Sequence, residues 1–93
     1  MSDLSWRIRE AAVFRELDGE GVVLNLESGT YFGLNAVGAL IWQLVERQGD
    51  AMWVADAVAA RYAVSPERAH ADVIALMTQL VEKGLAEIVH EGV

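Results

Sequence analysis

The chain has 93 residues, 54% of them hydrophobic, and 14 acidic side chains against 7 basic ones give it a formal net charge of -7. That length buries one modest core with no room for a second domain, and the negative surplus repels a phosphate backbone, so the charge disfavours nucleic acid as a partner class. With no cysteine there is no disulfide framework and no thiolate or iron–sulfur site; with no run of about 18 apolar residues and no basic start followed by an apolar run, neither a membrane span nor a secretory signal is expected. A soluble cytoplasmic protein is the expectation.

The first dozen residues are polar and read as a tail that can be partly loose, leaving residues 13–93 as the single domain. Val13 to Leu17 alternates as a strand, Asp18-Gly19-Glu20-Gly21 supplies a turn, and Val22 to Leu26 returns. Glu27-Ser28-Gly29 is a second turn, and the β-branched and aromatic run Thr30 to Leu34 makes a third strand of an antiparallel meander. At Asn35 the period changes. Asn35 is a helix N-cap, and Val37, Leu40, Ile41 and Leu44 then recur at the spacing of one helix face. Gln48-Gly49-Asp50 interrupts that helix, and Asp50 caps a second one through about Arg61, with Val54, Ala57, Val58 and Tyr62 inward. Ser65-Pro66-Glu67 starts a third: Ser accepts from a free helical N–H, Pro has none to waste, and Glu suits the positive helix end. This helix runs to about Lys83, Gly84 suits a left-handed stop, and Leu85 to Val89 is an extended piece that packs back on the body.

The predicted fold is therefore α+β and winged helix-turn-helix-like: a three-stranded antiparallel sheet followed by three helices. On the third helix Ala69, Val73, Leu76, Met77 and Leu80 form a core stripe. Ile74 and Val81 widen that stripe to one side, with His70 and Thr78 alongside, which leaves one flank more apolar than a core seam requires. The flank either covers the sheet and the terminal segment or forms a wall for a ligand.

The segments VLNLESGTYFGLN (Val23 to Asn35), GALIWQL (Gly38 to Leu44), RYAVSPERAHADVIALMTQL (Arg61 to Leu80) and KGLA (Lys83 to Ala86) resemble the PqqD family, named for pyrroloquinoline quinone biosynthesis. Within it they look most like stand-alone partners in lasso-peptide and related pathways. The resemblance implies a recognition element for ribosomally synthesised, post-translationally modified peptides, which binds the leader of a precursor peptide and delivers it to a modifying enzyme or leader protease. In that family the leader lies as an added strand along the third strand, opposite the third helix. Carried onto this chain, the edge is Thr30, Tyr31, Phe32, Gly33 and Leu34, and the opposing wall is His70, Ile74, Met77, Thr78 and Val81. An exposed edge suits this mode, because unpaired main-chain groups give affinity and side-chain pockets give specificity; it also leaves pairing between two copies open.

Phe32 and Leu34 share a strand face and suit a core; Tyr31 and Gly33 take the other, where glycine lets a second backbone approach. Trp42 is expected to pack within the fold, over Gly38, whereas Trp6 and Trp53 are either packed or anchors for a partner enzyme. His70 and His90 stand far apart without a second ligand nearby, so no metal site and no cofactor is expected. Glu16, Asp18, Glu20 and Glu27 fall in and around turns as a solvated rim. No phosphate loop, H-E-x-x-H or nucleophile elbow occurs, so no enzymatic activity is expected. Two other readings compete. A winged-helix regulator needs a basic recognition helix, and the third helix carries only Arg68 and Lys83 against Glu67, Asp72 and Glu82. A structural accessory subunit would bind a partner enzyme but not an isolated leader.

Overall fold

The computed structural model describes residues 4–89. Its elements in chain order are β1 (Trp6–Ile8), β2 (Ala12–Leu17), β3 (Glu20–Asn25), β4 (Tyr31–Leu34), α1 (Ala36–Arg47), α2 (Ala51–Tyr62), α3 (Pro66–Glu82) and β5 (Ala86–Ile88). The meander forms as the alternation requires, in the order β2-β3-β4, with Leu17 opposite Glu20 and Val23 opposite Phe32. Asp18 and Gly19 close its first hairpin with φ of 53° and 82°, the left-handed pair whose twist matches the flanking strands. Phe14, Val23, Phe32 and Leu34 turn to the helices and join the core, while Tyr31 and Gly33 lie on the outer face. The core centres on Ile41, Trp42, Val54, Val73, Met77 and Leu80. Trp42 packs inside the fold, though its ring partner is Phe14, stacked at 6.0 Å and 18°, while the atoms nearest Gly38 belong to Leu34 and Asn35.

All three helices begin where a side chain satisfies a free N–H. The Asn35, Asp50 and Ser65 side chains accept from Gly38, Trp53 and Arg68 at 2.8, 2.9 and 3.2 Å. The end of α2 is less well served, because Ala63 holds the left-handed conformation at φ 56° that glycine adopts without steric cost. Ala63→Gly should therefore raise stability by about 0.5–1 kcal/mol. A thermal melt should show the midpoint rising by roughly 2–8 °C, and a lowered midpoint would show that no strain is stored there.

Two parts of the sequence reading need correction. The residues taken as a loose tail are built into the fold from Leu4 onward: β1 pairs antiparallel with β5, Trp6 opposite Ile88, in a second, two-stranded sheet. Trp6 is only 4% exposed, so it is a core residue rather than an anchor for a partner. The Trp6 N–H donates to the Gly49 carbonyl at 2.9 Å and the Ala51 N–H to the Leu4 carbonyl at 2.8 Å, which fastens the segment to the α1–α2 turn. An exposed ion pair, Arg7 with Glu87 at 2.6 Å, lies across the ladder and adds little by itself. Leu85 to Val89 does pack back on the body, as expected. The second correction concerns Tyr62, which is 39% exposed at the end of α2 rather than turned inward, in a last stretch where Ala60, Arg61 and Ala63 are exposed as well.

Candidate peptide-binding site

Backbone direction on β4 follows from a single hydrogen bond. The Asn25 N–H donates to the Thr30 carbonyl at 2.9 Å, so Asn25 and Thr30 face each other as a bonded pair. In an antiparallel ladder bonded and unbonded pairs alternate, which makes Val23–Phe32 and Gly21–Leu34 the next bonded pairs. The N–H and C=O groups of Phe32 and Leu34 are thus spent on β3, and those of Tyr31 and Gly33 point away from it. As β4 ends the sheet, Tyr31 and Gly33 are the residues whose main chain can receive another strand. Thr30 belongs to the turn: its N–H is 3.4 Å from the Ser28 hydroxyl, and its own hydroxyl is 2.8 Å from the same atom. Tyr31 is 72% exposed, and a Cβ placed on Gly33 would meet no atom within 4 Å, so nothing in the fold obstructs the edge.

Where β4 runs into α1 a cleft of about 410 Å³ opens, lined by Asn35, Val37, Gly38 and Ile41 on one side and Asp72, Ala75, Leu76 and Gln79 of α3 on the other. Apolar Val37, Ile41 and Leu76 face one another across it, with Asn35, Asp72 and Gln79 offering polar contacts. The α3 residues that line this cleft are not those of the flank the sequence pointed to. Leu76 and Ile74 are two residues apart, roughly 160° around a helix axis, so His70, Ile74, Thr78 and Val81 lie on the opposite flank of α3 from Asp72, Ala75, Leu76 and Gln79. Ile74 and Val81 are half-buried against the core, and the Thr78 hydroxyl donates to the Ile74 carbonyl at 2.7 Å within its own helix. Met77 is 0% exposed and belongs to the core, where no peptide can touch it. Of the proposed wall, therefore, the structure brings none beside the cleft.

Sequence reading missed Leu76 by counting it in the core stripe. It is half-buried, and its companions Asp72, Ala75 and Gln79 carry no apolar signal that periodicity could find. Trp53 is half-buried and packs on the core. The acidic side chains Glu16, Asp18, Glu20 and Glu27 are all exposed. No group of three His, Asp or Glu side chains suited to a metal ion occurs among the described residues, and His90 lies outside them.

The profile of the family described as "Coenzyme PQQ synthesis protein D (PqqD)" matches residues 20–86, well over half of the chain. The chain belongs to the PqqD family. The matched region runs from the start of β3 to the start of β5, so it contains the open edge, the cleft and all of α3. Two solved structures resemble this PqqD-family chain throughout. One, described as TbiB1 in complex with the TbiA(beta) leader peptide, has a TM-score of 0.83 and 36% identity over 91% of this chain and 99% of that one. The other, lasso peptide synthetase B1 complexed with the leader peptide, has a TM-score of 0.79 and 32% identity over 89% of this chain and 98% of that one. No curated protein matches the chain. The PqqD-family fold thus comprises three helices and a three-stranded antiparallel sheet, and the winged-helix comparison describes it only loosely. None of its described helices is long and apolar enough to cross a membrane.

Proposed function

We propose that this PqqD-family chain is a non-catalytic recognition element that binds the leader of a ribosomally made precursor peptide and delivers it, in the cytoplasm, to a modifying enzyme or leader protease of a lasso-peptide type pathway. The observation that carries this reading is the open main-chain edge of Tyr31 and Gly33 running into a cleft of mixed polarity, in a chain 36% identical to a protein described in complex with its leader peptide. The leader pairs with β4 as a fourth strand through the outward groups of Tyr31 and Gly33. Past Leu34 the pairing ends, because the Asn35 carbonyl already accepts from Ala39 inside α1 at 2.8 Å. From there an apolar leader side chain enters the cleft between Val37, Ile41 and Leu76.

Backbone pairing supplies affinity that is largely blind to sequence, and the cleft supplies selection by shape and polarity. An added strand this short, with one partly apolar pocket, supports micromolar affinity, on the order of -8 kcal/mol. The cleft holds one carboxylate, Asp72, and no histidine, serine or lysine beside it, which suits holding a peptide rather than cutting one. A second copy of the chain pairing on the same edge would exclude the leader, so any homodimer formed there competes with binding.

The test is a fluorescence-polarisation titration of a synthetic, fluorescein-labelled leader from the precursor encoded beside this gene. Saturable binding is expected, weakened at least tenfold by Leu76→Glu in the cleft and less than threefold by Ile74→Glu on the opposite flank. Absence of binding by the folded wild type across the neighbouring precursors would remove the leader-binding reading and favour an accessory subunit. The reverse ranking of the two variants would return the site to the His70–Val81 flank.

A further inference from the structure

The edge strand β4 and α3, which flank the proposed site, meet each other directly at few points. The main packing partners of α3 are α2 and β5, not the meander. Among the described residues one hydrogen bond joins α3 or its cap to the three-stranded sheet and its turns: the Asn25 side-chain N–H donates to the Lys83 carbonyl at 3.1 Å. Lys83 is the C-cap of α3, and its carbonyl is one of those a helix end leaves without an intrahelical donor. It lies one helical turn beyond Gln79, at the far end of the same flank that lines the cleft.

Asn25 is 5% exposed, the one buried polar residue among the described side chains, and it makes contacts in both directions. Its amide oxygen accepts from the Glu27 N–H at 2.9 Å and the Ser28 N–H at 3.3 Å, which shapes the turn that sets β4 on its course. Its backbone carbonyl accepts from Gly29 at 2.7 Å and its backbone N–H donates to Thr30 at 2.9 Å. Gly84, at φ 76°, leaves room for the amide: a Cβ there would come within 3.3 Å of the Asn25 side-chain nitrogen. One side chain therefore fixes the start of the edge strand and the end of the opposing helix.

We infer that Asn25 is the positioning residue of the peptide groove: its amide, bridging the β3–β4 turn and the α3 C-terminus, sets the separation of strand and helix to which the leader is fitted. This rests on the leader-binding reading and extends it to a residue that the leader does not touch. The bond has a direction that only an amide satisfies. Aspartate keeps the acceptor for Glu27 and Ser28 but sets a carboxylate oxygen against the Lys83 carbonyl, two acceptors without a proton between them, and against the negative end of the helix. The helix end is then pushed from the turn and the groove widens, while the core made by α1, α2 and α3 is left intact.

Asn25→Asp and Asn25→Ser are compared with wild type by polarisation titration of the same labelled leader at a temperature where circular dichroism shows each fully folded. Val58→Ala, a core truncation in α2, is the control for lost stability alone. Asn25→Asp is expected to bind at least tenfold more weakly at pH 7, Asn25→Ser to fall between it and wild type, and Val58→Ala to keep wild-type affinity despite a lowered melting midpoint. As pH falls through the ordinary carboxylate range, the aspartic acid gains a proton to donate to Lys83, and the gap between Asn25→Asp and wild type should narrow. A folded Asn25→Asp with affinity within twofold of wild type, or one whose deficit does not change with pH, overturns the assignment. So does failure of both Asn25 variants to fold, which would make Asn25 a support of the whole domain. If wild type itself does not bind, the fault lies with the leader-binding reading and not with Asn25.

Discussion

Gly49→Ala is expected to cost the domain about 3 kcal/mol, lowering its melting midpoint by roughly 12–24 °C. The cause is not backbone freedom. A Cβ at residue 49 would overlap the Trp6 carbonyl oxygen and crowd the Trp6 carbonyl carbon and amide nitrogen, all three of them main-chain atoms of β1. A flexible side chain could turn away, but here the whole strand must move. Moving it breaks the Trp6–Gly49 hydrogen bond and withdraws Trp6 from the core it shares with Val45 and Ala51. A domain of this size has about 5–14 kcal/mol in total, so the loss is a large part of its margin. Thermal and urea melts followed by circular dichroism give the number. A midpoint within about 4 °C of wild type would mean that β1 shifts without cost and contributes little.

Gly33→Pro is expected to leave the fold nearly intact and weaken leader binding by tenfold or more, a loss of about 1.4 kcal/mol. Proline removes one N–H, and at Gly33 that N–H points away from β3, so the existing ladder keeps its bonds. The fold leaves open space beside the residue, since a Cβ at this position meets nothing within 4 Å. An arriving strand loses a donor and meets the ring where it would pair. Glu16→Pro supplies the comparison. It lies opposite Gly21 in an unbonded pair on β2, the other edge of the sheet, and also loses an outward N–H. Titration of both with the labelled leader should show the loss for Gly33→Pro only. Equal affinity for the two variants would place the peptide elsewhere than on β4.

What the sequence could reveal follows from the range over which each signal acts. The hairpins and helices were legible because turn residues and caps act within a few positions: Asp18-Gly19, Asn35, Asp50 and Ser65 all do in the structure what their chemistry suggests. The edge was legible too, since strand alternation separates Tyr31 and Gly33 from Phe32 and Leu34. β1 left no such signal. Its three residues pair with a strand about eighty positions away, and neither piece alternates long enough to be seen alone. The cleft was hidden for a related reason. Helical periodicity places residues around α3 but does not say which flank faces β4, so the more apolar flank, Ile74 with Val81, was preferred to the mixed one of Asp72, Ala75, Leu76 and Gln79 that lines the cleft. Asn25 lay within the family-like segment, but its role depends on Lys83, 58 residues further along the chain.

The ladder between β1 and β5 also bears on how the protein is made. Trp6 leaves the ribosome about eighty residues ahead of the segment that pairs with it, which ends at Ile88. At about 5–20 residues per second the nascent chain spends on the order of 4–16 s with that indole lacking its final cover. Until then the meander and the first helices can only associate provisionally. The β1–β5 pairing is thus a contact of high sequence separation, and the loop it closes spans nearly the whole fold.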